Sequence, residues 1–342
     1  MQQTSPSKPV DFEMFRYTRV GSRRELPPAD AGVVDVVLLD MNFGLPNLGH
    51  DSLVHAIRES AQPLEKEFGL ELRILSFDVR RSSFLPDADS DRFRLFIGTG
   101  GPGHLDPRRN TGVEEWCEGI SETADWEEPL FELFDGIRDD DRSALIGFCH
   151  SFGIICRWAG IAEPVLRGPS KGKSHGIVAY RLTDAALEHP WFSRFASELV
   201  DAPNFRVLDS RLFDLFPSGP LPEGATILAT EQAVAPGEQP GMTMVELARH
   251  RDGVMPRILG ANHHPEVVDL HHLEEVLDEK LEKGEITEQW HHERGSSLRS
   301  FWREPDTDER MRRTSRYTLL EPVQFHIRNA MLDRIGHKIR GV

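Results

Sequence analysis

Residues 33–39 read Val-Val-Asp-Val-Val-Leu-Leu, a near-continuous run of β-branched and aliphatic side chains. Such a run has no polar face, so it belongs in a strand covered on both sides, as in a parallel sheet. Segments 70–77, 93–97 and 144–148 repeat the pattern, and helical stretches lie between them at 52–67 and 127–137. Strands that alternate with helices predict an α/β fold with a mainly parallel sheet covered on both faces. In such a fold a site is expected at the carboxyl ends of the strands. At 342 residues the chain has room for one large α/β domain with additions, or for two domains.

The flanks differ from this centre. Residues 1–32 are polar and Pro-rich, with Phe12, Phe15 and Tyr17 as candidate anchors, and read as an N-terminal extension on the main domain. After residue 150 further strands are expected at 176–182, 226–230, 242–249 and 257–261. From residue 270 the chain turns helical. Leu273, Val276, Leu277 and Leu281 share one face, Gly284 interrupts, and a last helix is expected over 323–335. Its apolar residues are Phe325, Ile327, Met331, Leu332 and Ile335. The predicted division is therefore an extension (1–32), an α/β domain (33–270) and a helical C-terminal extension (271–342). That last part would pack on the core, form a subunit interface or lid the site.

Charge and cysteine content exclude several classes. Forty Lys and Arg stand against 56 Asp and Glu, for a net charge of −16. That balance argues against a general nucleic-acid or anionic-membrane binder. No apolar run approaches the length of a membrane span, and residues 1–9 carry no apolar secretory core. Three cysteines, Cys117, Cys149 and Cys156, form an odd and sparse set. They fit free thiols in a reducing cytoplasm, with no disulfide framework.

The chemistry centres on residues 143–153, Ser-Ala-Leu-Ile-Gly-Phe-Cys-His-Ser-Phe-Gly. An apolar strand runs into Gly147, read as the point of a sharp turn, with Cys149 at its apex and a helix following over 154–160. That layout lifts one reactive atom off the sheet and aims a helix N-terminus at it, which favours a thiolate. By itself the stretch reads equally well as a buried structural cysteine. Downstream, His264-Pro265-Glu266 ends an apolar run. Residues i and i+2 of an extended segment face the same way, so a carboxylate there can orient an imidazole able to take a thiol proton. Upstream, Gly100-Gly101-Pro102-Gly103 follows a strand. It has neither the Gly-x-Gly-x-x-Gly helix start nor the Lys-Ser/Thr of a phosphate loop, and suits an oxyanion hole better than a nucleotide. The histidine pairs 263/264, 271/272 and 291/292 lack metal-ligand spacing, and the last two are read as surface residues. The Arg-rich stretch 299–316 is interleaved with Asp and Glu and reads as a solvated face. Cys156 and Trp158 read as core.

Taken together, Gly100 to Gly103, Gly147-Phe148-Cys149 and His264-Pro265-Glu266 resemble the class I glutamine amidotransferase family in order and approximate spacing. Weaker echoes are Asp40 and Asn47 in the first strand and loop, Gly172-Lys173-Ser174-His175-Gly176, and Asp209-Ser210 where the family often has His-Ser. The resemblance covers roughly residues 33–270. It implies a flavodoxin-like three-layer sandwich with a mainly parallel central sheet. It implies Cys149 as nucleophile, His264 as general base and acid, Glu266 as orienting carboxylate, and the N–H groups of Gly101 and His150 as oxyanion hole. It places Gly100, Gly103, Ser151 and Ser210 at the substrate, with no metal and no cofactor. The function it implies is cysteine-dependent hydrolysis of glutamine or a γ-glutamyl-like amide through a thioester. The expected partners are a small-molecule amide, a separate synthase subunit that takes up the ammonia, and a second copy of the chain. The family elbow usually reads Gly-x-Cys-x-Gly-x-Gln, whereas here Ser151 and Gly153 hold the last two of those places, and His263 replaces a common Phe. A different amide or acyl donor therefore stays open, as does a non-catalytic or regulatory binding protein on the same fold.

Overall fold

A computed structural model describes residues 16–87, 91–167, 172–232, 239–302 and 306–340, with side chains to 336. Phe12, Phe15 and Arg303 lie outside the described residues. In chain order the first half contains β1 (Arg16–Val20), β2 (Val33–Asp40), α1 (Leu48–Phe68), β3 (Glu71–Asp78), α2 (Val79–Ser82), β4 (Phe93–Gly98), α3 (Glu127–Asp139), β5 (Ala144–Phe148) and α4 (His150–Trp158). The second half contains β6 (Ala162–Leu166), β7 (Ser174–Leu182), α5 (Asp184–Glu188), α6 (Phe192–Glu198), β8 (Asn204–Arg211), β9 (Phe213–Pro217), β10 (Thr226–Glu231), β11 (Met242–Arg249) and β12 (Pro256–Ala261). The helices α7 (Leu270–Glu282), α8 (Glu288–Phe301), α9 (Thr307–Ser315) and α10 (Glu321–Arg340) complete it, the last two joined by a π-helical turn, Arg316–Leu320.

Among the described residues, ten strands form one sheet in the order β1-β3-β2-β4-β5-β12-β11-β10-β7-β8. From β1 to β12 every neighbour is parallel, and from β12 to β8 every neighbour is antiparallel. Leaving out the edge strand β1, the parallel strands follow the flavodoxin-like order 2-1-3-4-5. The side-chain period of two divides β2 between the faces. Val34, Val36 and Leu38 join Leu53, Ile57 and Leu64 of α1 and Val323, Ile327 and Met331 of α10 in one core. Val37 and Leu39 join Leu130, Leu133 and Phe134 of α3 and Ile154 and Ile155 of α4 in the other. This is the expected three-layer α/β sandwich with a mainly parallel centre and C-terminal helices. No helix among the described residues is long and apolar enough to cross a membrane.

Several local expectations change. The helix after Cys149 begins at His150, four residues earlier than the apolar pattern suggests. In α10 the buried face runs through Val323, His326, Ile327, Ala330 and Met331, while Leu332 is exposed. Residues 16–20, in the N-terminal arm, pair with β3 as an edge strand. His271 and His292 are exposed, but His272 is half-buried, stacked on His55 with ring centroids 4.0 Å apart, and His291 Nε2 lies 2.7 Å from Asp278. Trp158 is only half-buried and donates to Asp135, while Cys156 is fully buried and burial raises its thiol value.

Buried histidines make the fold acid-sensitive. Burial holds His263 neutral, pushed down to about 3, and His326 and His104 pushed down to about 4. In the unfolded chain each takes up a proton near pH 6.5, so the unfolded state binds more protons as pH falls below that value. Going from pH 7 to pH 5 is expected to remove about 2 kcal/mol of stability per such histidine. Denaturant unfolding at the two pH values checks this. His326→Gln, which can still donate to the Pro256 carbonyl that His326 Nε2 faces at 2.8 Å, is expected to shrink the difference by one histidine's share.

Candidate active site

The carboxyl ends of β2, β4, β5 and β12 converge on Cys149. Cys149 has φ +50° and ψ −106°, a strained conformation for a residue with a side chain. It is held there from both sides. Its N–H donates to the Ala261 carbonyl of β12 (2.9 Å), and the Gly153 N–H returns to the Cys149 carbonyl (3.2 Å). Gly147 is not the turn: it lies inside β5, and a Cβ there would collide with Ile155 and crowd Ser151. Its smallness lets α4 pack closely on the strand, and Cys149 itself makes the corner.

His264 follows β12, with its N–H bonded to the Leu208 carbonyl at 2.9 Å. Alternation turns His263 into the core beside Thr318 (3.2 Å) and His264 toward Cys149. His264 Nδ1 lies 2.8 Å from Glu266 Oε1, and the Glu266 side chain is 1% exposed. Burial works to keep the His264 ring neutral. The negative charges at Cys149 and Glu266 outweigh it and hold the imidazolium well above the ordinary histidine range.

The glycine loop lies against both groups. A Cβ on Gly100 would sit 3.0 Å from His264 Cε1 and 3.5 Å from Cys149 Cβ, so this glycine lets the loop approach the cysteine–histidine pair. A Cβ on Gly101 would collide with the Met41 carbonyl oxygen. Gly103, at φ +85°, donates its N–H to Glu118 Oε2 at 3.1 Å. Beneath the loop, the buried Arg80 donates to the Met41 carbonyl (2.9 Å) and the Pro102 carbonyl (2.7 Å) and pairs with Glu122 (2.5 Å). Glu122 also accepts from Asn110 Nδ2 (2.6 Å) and Trp126 Nε1 (3.1 Å).

Two cavities meet at Cys149. The smaller, about 40 Å3, is walled by Gly101, Gly103, Leu105, His150, Gly153 and Phe213, with Ser210, Arg211 and Asn262 behind. The larger, about 570 Å3, is walled by Gly101, His264, the 42–49 loop and helix α8. His150 opens α4, so its N–H has no acceptor within the helix. Its ring is fully buried, and burial keeps it neutral, well below the ordinary histidine range. Cys149 Sγ lies 3.7 Å from the Ser210 carbonyl. Ser151 does not face either cavity: its hydroxyl donates to the Thr99 carbonyl at 2.7 Å and ties α4 to β4. Gly100 is likewise behind the cavity walls, with Gly101 and Gly103 in front.

Two of the weaker sequence echoes, residues 172–176 and Asp209-Ser210, lie side by side. In the β7–β8 ladder His175 pairs with Ser210 and Gly176 with Asp209, and Ser174 Oγ donates to Asp209 at 2.5 Å. Asp209 is fully buried because Arg211 Nη1 meets it at 2.7 Å; Arg211 also pairs with Asp214 and Glu231. Sequence reading did not single out Arg80, Leu105, Arg211 or α8. Leu105 leaves no such signal, whereas an Arg two residues after Asp209 on a strand was a findable one. No group of three or more His, Cys, Asp or Glu side chains among the described residues is placed to hold a metal ion.

No protein-family model matches the chain, and no curated protein matches it. Among solved structures it is similar to a glutamine amidotransferase of Thermotoga maritima, at 16% identity and TM-score 0.44 over 88% of this chain and 98% of that one. It is similar to a GMP synthase subunit of Thermoplasma acidophilum, described as putative, at 14% identity and TM-score 0.37 over 68% and 85% of the two chains. It is also similar to PurLQS of Thermotoga maritima, at 14% identity and TM-score 0.40 over 69% and 89%.

Proposed function

We propose that the protein is a cysteine-dependent amide hydrolase of the class I glutamine amidotransferase type, acting on a γ-glutamyl-like amide or on glutamine. The observation that supports it most is the meeting of Cys149, at its strained corner, with His264, whose Nδ1 lies 2.8 Å from the buried Glu266 carboxylate. The Cys149 thiolate attacks the amide carbonyl carbon, and the oxyanion takes hydrogen bonds from the Gly101 and His150 N–H groups. The His264 imidazolium gives its proton to the leaving nitrogen, the amine departs and a thioester remains. Water then attacks the thioester, His264 takes one of its protons, and the carboxylic acid leaves as the thiolate–imidazolium pair re-forms, losing its remaining proton to solvent. Where glutamine is the substrate, the ammonia passes to a separate synthase subunit.

Glutamine and a panel of γ-glutamyl amides, assayed for released ammonia or amine, test the reading. Glu266→Gln is expected to lower kcat by about 10²-fold or more, since it removes the charge that orients and supports the imidazolium. Turnover undiminished by that change would remove His264–Glu266 from the chemistry. A binding protein without turnover is the second reading. Leu105 favours it, because its side chain fills the room above Gly153 where the family's glutamine side chain would stand. Absence of release from every amide, with an intact fold, would select it.

A further inference from the structure

The two cavities at Cys149 differ more than tenfold in volume, about 40 Å3 against about 570 Å3. His264 lines the larger and not the smaller. In amide cleavage the leaving nitrogen must lie beside the group that protonates it, so the amine half of the substrate belongs on the His264 side. The acyl half then enters the smaller cavity, where Leu105 and Phe213 leave room for a short chain. Ammonia as the leaving group would use almost none of the larger space.

The larger cavity has a definite chemistry. Helix α8 supplies Trp290, Leu298 and Phe301, and Ile286 and Leu273 extend the apolar wall. Aromatic side chains on such a wall suit a flat ring. The charges facing it are largely matched: Lys173 pairs with Glu118 at 2.7 Å, and Glu285 with Lys280 at 3.0 Å. His175 Nε2 lies 3.2 Å from Ser297 Oγ. Arg294 is the exception. Its guanidinium stands 5.3 Å from the Trp290 ring centroid, and among the described residues it has no carboxylate partner. An unmatched guanidinium over an indole fits a ligand that carries an anion beside a ring.

We infer that the substrate is a secondary amide whose amine half is an aromatic body with an anionic group, seated under α8 against Trp290 and Arg294. This rests on the hydrolase reading above. The scissile C–N bond breaks as His264 delivers its proton, and an arylamine leaves in place of ammonia. The α8 helix is then a specificity element, and the reaction that supplies this substrate is one that joins a short carboxylic acid to such an amine.

Binding and turnover test this separately on the full chain. Calorimetry with para-aminobenzoate, as the free leaving amine, is expected to show binding about tenfold tighter than aniline. Arg294→Gln is expected to erase that difference, and Trp290→Ala to weaken both ligands. In the kinetic arm, γ-glutamyl para-carboxyanilide is expected to exceed glutamine in kcat/KM by about 10²-fold, with Arg294→Gln lowering the carboxyanilide alone. Equal binding of the two amines, or glutamine cleaved as well as the carboxyanilide, would overturn the inference. Arg294-dependent binding without cleavage of any amide would uphold the pocket's ligand class and overturn the hydrolase reading beneath it. Glutamine cleavage with no amine binding would do the reverse.

Discussion

Replacing Cys149 with Ala is expected to reduce amide hydrolysis by about 10⁴-fold or more while the fold remains intact. The thiolate is the only protein group in the proposed sequence that bonds to the acyl carbon, so no neighbouring side chain takes over. The corner does not depend on sulfur. Its conformation is set by the Cys149 N–H bond to Ala261 and the Gly153 N–H bond to the Cys149 carbonyl, both of which Ala keeps. The half-buried side chain loses a contact to the Ser210 carbonyl at 3.7 Å, too long for a strong bond. The thermal unfolding curve should therefore move little while product release disappears. Unchanged turnover in the variant would end the mechanism.

Arg80→Met carries the largest expected effect on stability. The Arg80 and Glu122 side chains are 0% and 1% exposed. Removing one partner of a buried pair leaves the other charge without compensation and costs about 3–5 kcal/mol. The Met41 and Pro102 carbonyls also lose their donor. These two carbonyls flank Gly101, so the change should also displace the proposed oxyanion donor. The expected result is a lower unfolding midpoint in denaturant together with a drop in kcat that exceeds any rise in KM. Adding Glu122→Gln should recover part of the stability, because the stranded charge is gone. A double variant no more stable than the single one would contradict this account of the pair.

The parallel half of the sheet was legible because burial on both faces writes itself as runs such as Val33 to Leu39. The candidate site was legible where its chemistry is local: Cys149 at the end of an apolar strand, and His264 two residues from Glu266. What depended on distant packing was not. Strand β8 escaped notice because its inward positions include Asp209 and Arg211, charges that satisfy each other only in the folded chain. Strands β6 and β9 each contain a proline and, among the described residues, pair only with each other. Gly147 and Gly153 were visible as glycines, but what fills the space beside them, Ile155 and Leu105, is a fact of three dimensions. The resemblance placed Ser151 at the substrate, whereas the helix turns its hydroxyl to Thr99. Of the C-terminal helices, α7 and α10 carried an apolar face in sequence, whereas the stretch between them read as charged. That α8, from that stretch, walls the cavity shared by Cys149 and His264 required the fold.

Whether Cys149 acts as an activated nucleophile is read out by covalent labelling. The native protein would be treated with an electrophilic glutamine analogue and mapped by peptide mass spectrometry. One adduct per chain is expected, on Cys149, with the buried Cys117 and Cys156 unmodified and with labelling slowed by His264→Ala. Labelling that bypasses Cys149, or proceeds at the same rate without His264, would contradict it.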